Sequence, residues 1–139
     1  MLATRTALAL WMAFVPVGAA SALTVTIDYR FDRSGFFDAD NARGRAARTR
    51  LEEAASFYSD RILDPLAAIT PGTTTHGETD RWTTFFADPS SGGRASAANL
   101  RLDLGEVIVF AGARDLGGNV LGTAFTGAAF ASGSAAFVE

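Results

Sequence analysis

Cysteine and lysine are both absent from these 139 residues, and histidine occurs once, as His76. Without cysteine there is no disulfide framework, no thiolate nucleophile and no thiolate-ligated zinc. A single histidine excludes a two-histidine metal site built from this chain alone. The basic residues, all arginine, number 12 against 15 acids, a net charge of -3. That balance argues against a nucleic-acid binder, whose affinity comes from neutralising many phosphates. Only 19% of positions are charged while 48% are hydrophobic, so the chain is too apolar for a disordered segment and suits one globular domain. Most catalytic readings fail on these counts, and any chemistry is expected to lie outside these residues.

What is present begins with an export signal. Residues 1–5 carry one positive charge and no acid, and residues 6–17 form an apolar run containing Leu8, Leu10, Trp11, Met12, Phe14 and Val15. Ala20, Ser21 and Ala22 supply the small residues that a signal peptidase inspects, so cleavage is expected between Ala22 and Leu23. The run is shorter than the roughly 20 residues needed to span a bilayer and ends at Pro16 and Gly18, so no transmembrane segment is expected after cleavage. The remaining domain, residues 23–139, is expected outside the cytoplasm: secreted, periplasmic or on the cell surface. It loses Arg5 and carries 11 basic and 15 acidic residues, 11 − 15 = -4. The lysine-free composition, rich in alanine, glycine and arginine, associates the chain with a GC-rich bacterial source.

Residues 23–31 alternate, with Leu23, Val25, Ile27, Tyr29 and Phe31 on one face, which predicts a half-buried strand. Turn residues 32–35 follow, then Phe36 and Phe37, and Asp38 or Asp40 is placed to cap a helix. Residues 41–63 read as one long amphipathic helix. Its inward stripe is Ala47, Leu51, Ala54, Ala55, Tyr58 and Ile62, with Arg45, Arg48, Glu52, Ser56, Ser59 and Asp60 pointing away. The helix is expected to end near Asp64 and Pro65. Residues 70–77 read as a polar loop. Residues 81–87 read as a second strand, residues 98–104 alternate weakly, and the apolar run 107–111 suggests a strand covered on both faces. Residues 112–139 are glycine- and alanine-rich without a period. The expected fold is α+β with an α/β-like start: a twisted mixed sheet backed by one long helix, with a glycine-rich C-terminal segment.

Each polar cluster has a bland explanation beside a functional one. Asp28, Asp32, Asp38 and Asp40 form an acidic turn of the kind that can hold calcium, but their spacing fits no EF-hand loop and capping accounts for them. His76 lies among threonines and glycines and is expected on a surface loop, with no Gly-x-Ser-x-Gly elbow to partner it. Arg43, Arg45, Arg48 and Arg50 point in different directions on the helix and read as a solvated flank paired with Glu52 and Glu53. Residues 112–118 lack phosphate-loop spacing, and their glycines serve tight turning.

The alternating first strand ending in residues 27–32, the backing helix, and above all residues 105–112 followed by Leu116-Gly117-Gly118 and Leu121-Gly122-Thr123-Ala124 form a recognisable set. In these features the chain resembles the N-terminal half of the zincin-like metallopeptidase fold, especially exported bacterial members. The resemblance implies that Leu121, Gly122, Thr123 and Ala124 are edge-strand residues lining a peptide cleft and pairing with a polypeptide substrate. It assigns no catalytic or metal-binding residue here: the family's His-Glu-x-x-His helix comes beyond the point where this sequence stops. No cofactor is expected in this chain, and zinc only with a further C-terminal part. The chain thus reads as a zincin-like domain fragment, not catalytically competent as written. The rival class is an exported binding or extracellular-matrix module completed by its glycine-rich tail.

Overall fold

The structure is a computed structural model that describes residues 23–63 and 66–138. The signal segment assigned to residues 1–22 lies outside the described residues. The elements run β1 (Thr24–Asp28), α1 (Ala42–Ser59), β2 (Thr74–Thr75), β3 (Glu78–Thr79), β4 (Arg81–Ala87), β5 (Arg94–Ala98), β6 (Glu106–Phe110), β7 (Ala128–Ser132) and α2 (Ala135–Val138). The fold is α+β. Among the described residues no helix is long and apolar enough to cross a membrane.

The single mixed sheet expected from the sequence is instead three small sheets. β1 and β6 pair in parallel, from Thr24 opposite Glu106 to Asp28 opposite Phe110. The antiparallel pairings are separate, in a sheet of order β5-β4-β7 and in the β2-β3 hairpin. The parallel pair therefore remains two strands wide. β6 is not covered on both faces, and Val109 is 41% exposed.

Local chemistry explains most boundaries. Asn41, not Asp38 or Asp40, caps α1: its side chain accepts from the Gly44 N–H at 2.7 Å, satisfying one of the free donors at the helix start. The helix ends at Ser59, short of the expected proline, because the following turn is used to hold β1. There the Ile62 carbonyl accepts from the Leu23 N–H at 3.3 Å.

The inward face of α1 is rotated from the predicted stripe. Gly44 and Ala55 are buried and Ala47, Arg48, Leu51 and Ser59 are half-buried, whereas Ala54 is exposed and Tyr58 is 57% exposed. Hydrophobicity alone placed Tyr58 inside and Ser59 and Arg48 outside. Ser59 is turned inward by its bond to the β1 backbone, and Arg48 by its seat on the Tyr29 ring, 4.3 Å from the centroid.

The polar loop expected over residues 70–77 contains half of a hairpin. His76 and Gly77, with φ of 51° and 84°, join β2 to β3 as a two-residue connection of the type I′ kind. The weak alternation at residues 98–104 is not a strand. The strand there is β5, and the chain leaves it at Asn99, which adopts a left-handed φ of 50°.

The two larger sheets meet through aromatic rings. Phe86 of β4 stacks on Phe110 of β6 with centroids 4.4 Å apart, and Phe31 meets both edge-on at 5.0 and 5.1 Å. Among the described apolar residues, Leu23, Ala55, Ala97 and Ala111 make up the buried set.

Candidate functional site

Between β4 and β6 opens a cleft of about 1090 Å³. Thr84 and Phe86 line it from β4, and residues 107–110 line it from β6. Parallel pairing with β1 fixes β6, and antiparallel pairing with β5 and β7 fixes β4, so both walls rest on backbone ladders.

One end of the cleft is built by two loops held to each other. Asp88, almost wholly buried, accepts from the Ser90 and Ser91 N–H groups at 2.8 and 3.1 Å, an Asx turn of the sort Asp favours. Its other oxygen lies 3.3 Å from the Arg33 guanidinium. The Ser90 hydroxyl donates to the Phe31 carbonyl at 2.7 Å and accepts from the Arg33 N–H at 3.0 Å. On the facing loop, Asp32 accepts from the Ser34 hydroxyl and the Phe37 N–H, both at 2.7 Å.

Both carboxylates are held below the usual carboxylate range. Burial alone would raise Asp88, but the Ser90 and Ser91 N–H groups, the Arg33 charge and the Ser91 hydroxyl outweigh it. Asp32 follows the same pattern: burial raises it, and the Ser34 hydroxyl with the N–H groups of Phe37, Ala113 and Ser34 lower it further. Each stays charged while buttressing a turn, which is structural work.

The far wall is residues 112–127. Gly112 starts it where no side chain fits: a Cβ there would lie 2.9 Å from the Ser90 hydroxyl and 3.1 Å from the Pro89 ring. The segment then turns at Gly117 and Gly118, with φ of 70° and 56°, as the sequence suggested. Leu121, Gly122, Thr123 and Ala124 line the cleft together with Phe125, and all are exposed, Leu121 completely. They stand outside every strand, so the edge-strand placement is not met: the next ladder starts at Ala128. Among the described residues no backbone-to-backbone hydrogen bond engages residues 112–127.

The remaining candidates stay apart from this cleft or enter it only at its rim. His76 sits exposed on the β2-β3 turn. Arg43 lies over the Phe36 ring at 5.3 Å and reaches the rim. Arg45 donates to the Ala39 carbonyl, Arg48 to the Phe37 carbonyl, and only Arg50 pairs with an acid of the helix, Glu53, at 3.0 Å. Glu52 instead accepts from the Tyr29 hydroxyl at 3.4 Å. In the acidic turn Asp28 is engaged by Arg30 at 2.6 Å and Asp38 by the Asp40 N–H at 2.9 Å.

The zinc that a zincin-like fold implies does not fit these residues. His76 is remote on its hairpin, and among the described residues no three His, Cys, Asp or Glu side chains converge as ligands. The aromatic joint of Phe31, Phe86 and Phe110 and the Asp88 turn were missed by the sequence reading. A signal for the first existed in bulky aromatics near the ends of three predicted strands.

Comparison with protein-family models, with curated proteins and with solved structures gives no significant match for this chain.

Proposed function

We propose that the chain is an exported polypeptide-binding domain whose cleft takes an extended peptide, in the manner of the substrate-holding half of a zincin-like metallopeptidase, without catalysis by its own residues. The observation that carries this reading is the far wall: residues 112–127 run along a cleft of mixed polar and apolar lining, with their backbone N–H and C=O groups outside any ladder among the described residues. Apart from the Ala113 and Gly117 N–H groups, which the Asp32 and Asp115 carboxylates take, these main-chain groups stand outside any ladder and suit β-strand addition, in which backbone bonds give affinity and alternate side chains enter pockets. Phe86, Phe110, Leu121 and Phe125 would supply the apolar contacts. Export rests on the leader-like residues 1–22, and the zincin-like assignment on the strand, helix and Leu-Gly-x-Ala pattern of the sequence.

The second reading, a non-enzymatic exported binding or matrix module, is favoured by the ligand count, since one histidine and no cysteine furnish no catalytic zinc site. This second reading assigns the cleft no particular ligand.

Fluorescence anisotropy with a library of short labelled peptides tests the cleft. Extended apolar peptides should bind, and Leu121→Asp or Phe125→Asp should abolish binding while Tyr58→Asp, at an exposed site outside the cleft lining, leaves it intact. Failure of every peptide, or equal loss in all three variants, overturns the reading. Sequencing past the codon for Glu139 separates the two forms: a His-Glu-x-x-His motif in frame or after one shift supports the zincin-like one, and an unrelated gene the binding module.

A further inference from the structure

Two arginines reach the cleft with their charge unmatched. Arg43 and Arg114 are the basic residues of its lining, and both are exposed. Among the described residues neither pairs with an acid, whereas four other arginines pair with carboxylates. Three more, Arg45, Arg48 and Arg61, donate to backbone carbonyls. Both cleft arginines border the end built by the 32–37 and 88–92 loops. Arg43 lies over the Phe36 ring, 5.3 Å from its centroid. Arg114 follows Ala113, whose N–H is taken by Asp32, and its guanidinium rests against Gly92. A Cβ on Gly92 would stand 2.5 Å from the Arg114 Nη1, so the bare glycine is what leaves room for the charge.

The acids at this end are already engaged. Asp88 holds the Ser90 and Ser91 N–H groups and the Arg33 guanidinium. Asp115 accepts from the Gly117 N–H at 2.8 Å. Asp32, outside the lining, holds the Ser34 hydroxyl and the Phe37 N–H. In a chain of net charge -3, this end of the cleft therefore offers two guanidinium groups and no acid without a partner.

We propose that Arg43 and Arg114 capture the C-terminal carboxylate of the bound peptide, so that the domain takes chain ends rather than internal stretches; this rests on the peptide-binding reading of the cleft. A guanidinium fork matches the two oxygens of a carboxylate, and such charge-assisted bonds are the strong ones. The complementary charge selects an anion, and the loops select a chain end. Joined to each other through Ser90, they stand across this end, so an extended chain lying between β6 and residues 112–127 stops there rather than passing on. The group such a chain presents is its terminal carboxylate, a recurrent handle in peptide recognition. Its apolar side chains then lie along Phe86, Phe110 and Phe125.

The test compares three forms of one N-terminally labelled peptide, Ala-Phe-Ala-Phe, on the protein expressed from its full coding sequence. These are the free acid, the C-terminal amide, and the amide with glutamate replacing the second alanine. The free acid should bind roughly tenfold or more tighter than the amide, the scale of a hydrogen-bonded charge, and the advantage should shrink as salt is raised. Arg43→Gln and Arg114→Gln should each reduce the ratio of acid to amide affinity towards one. Arg81→Gln, equally exposed but outside the lining, should leave that ratio unchanged. Acid and amide forms that bind the parent equally overturn the proposal while the peptide cleft stands. A glutamate amide that binds as tightly as the free acid also overturns it, since an acidic side chain is then the ligand. If no form binds, the cleft reading falls and takes the proposal with it.

Discussion

The Ser59 hydroxyl stands between α1 and β1, donating to the Ala55 carbonyl at 3.0 Å and accepting from the Val25 N–H at 2.9 Å. The second bond spans 34 positions of sequence and satisfies a β1 edge donor that no strand reaches. Ser59→Ala should therefore cost about 1–2 kcal/mol in a urea titration, the penalty of leaving a part-buried donor unpaired. Ser56→Ala, one turn earlier and exposed, should stay within about 0.5 kcal/mol. Equal effects would mean that the helix end is not tied to the strand.

The rotated face of α1 predicts a second contrast. Leu51 is half-buried, so Leu51→Ala should cost about 1–2.5 kcal/mol, less than a fully buried leucine would. Tyr58, which the sequence pattern placed inside, is 57% exposed with its ring 5.6 Å from that of the adjacent Phe57, so Tyr58→Ala should cost no more than about 0.5–1 kcal/mol. A larger loss at Tyr58 than at Leu51 in the same titration would restore the predicted stripe.

Tyr58 and Ser59 also mark how far the sequence could be read. The existence of β1, α1, β4 and β6 was legible because each has a clean period or a β-branched and aromatic run. The parallel pairing of β1 with β6 was foreseen only as membership of one sheet. Helical periodicity cannot say that a serine is drawn inward by a backbone donor 34 residues away, nor that an arginine stem lies on a tyrosine ring. β7 was invisible because Ala128–Ser132 contains four small residues and one phenylalanine, too little contrast between faces to show alternation. The cleft was legible only through Leu121 to Ala124, and there as an edge strand, whereas the segment is extended without a ladder.

The two lowered carboxylates set the acid limb of stability. Asp32 and Asp88 titrate below their unfolded range of about 3.9, so in the interval between folded and unfolded values the unfolded chain binds more protons. Their contribution is present above that unfolded value and is lost as pH falls through the folded ones. Urea titrations from about pH 5 down to pH 2 should show stability falling with pH. Asp88→Asn should lower stability at neutral pH and flatten that slope. An unchanged slope would mean that the Asp88 turn does not hold the cleft end.

The β2-β3 connection gives a prediction of gain. His76 occupies a left-handed conformation that asparagine tolerates better than most residues, followed by Gly77. His76→Asn should be neutral or stabilising by up to about 0.5–1 kcal/mol. Gly77→Ala should be destabilising by about 1 kcal/mol, because its φ of 84° disfavours any Cβ. Thermal melts of the two variants should move in opposite directions or, for His76→Asn, not at all.

Gly44 offers the sharpest test of how the 35–40 turn sits on α1. It lies inside the helix, where replacing glycine by alanine ordinarily stabilises by about 1 kcal/mol. Here a Cβ would collide with the backbone carbonyl of Asp38. The turn cannot easily retreat, because the Asp38 N–H donates to the Gly35 carbonyl at 3.1 Å and the Phe37 carbonyl is held by Arg48. Gly44→Ala should therefore destabilise by about 2–4 kcal/mol, and Ala46→Gly, at an exposed site in the same helix, by about 1 kcal/mol. Moving the turn also moves Phe36 and Phe37, which line one end of the cleft, so peptide affinity should fall with stability at Gly44 but not at Ala46. If Gly44→Ala proved stabilising in denaturant, the turn would not lie against the helix, and the end of the cleft built from Asp32, Phe37 and Asp88 would have to be placed elsewhere.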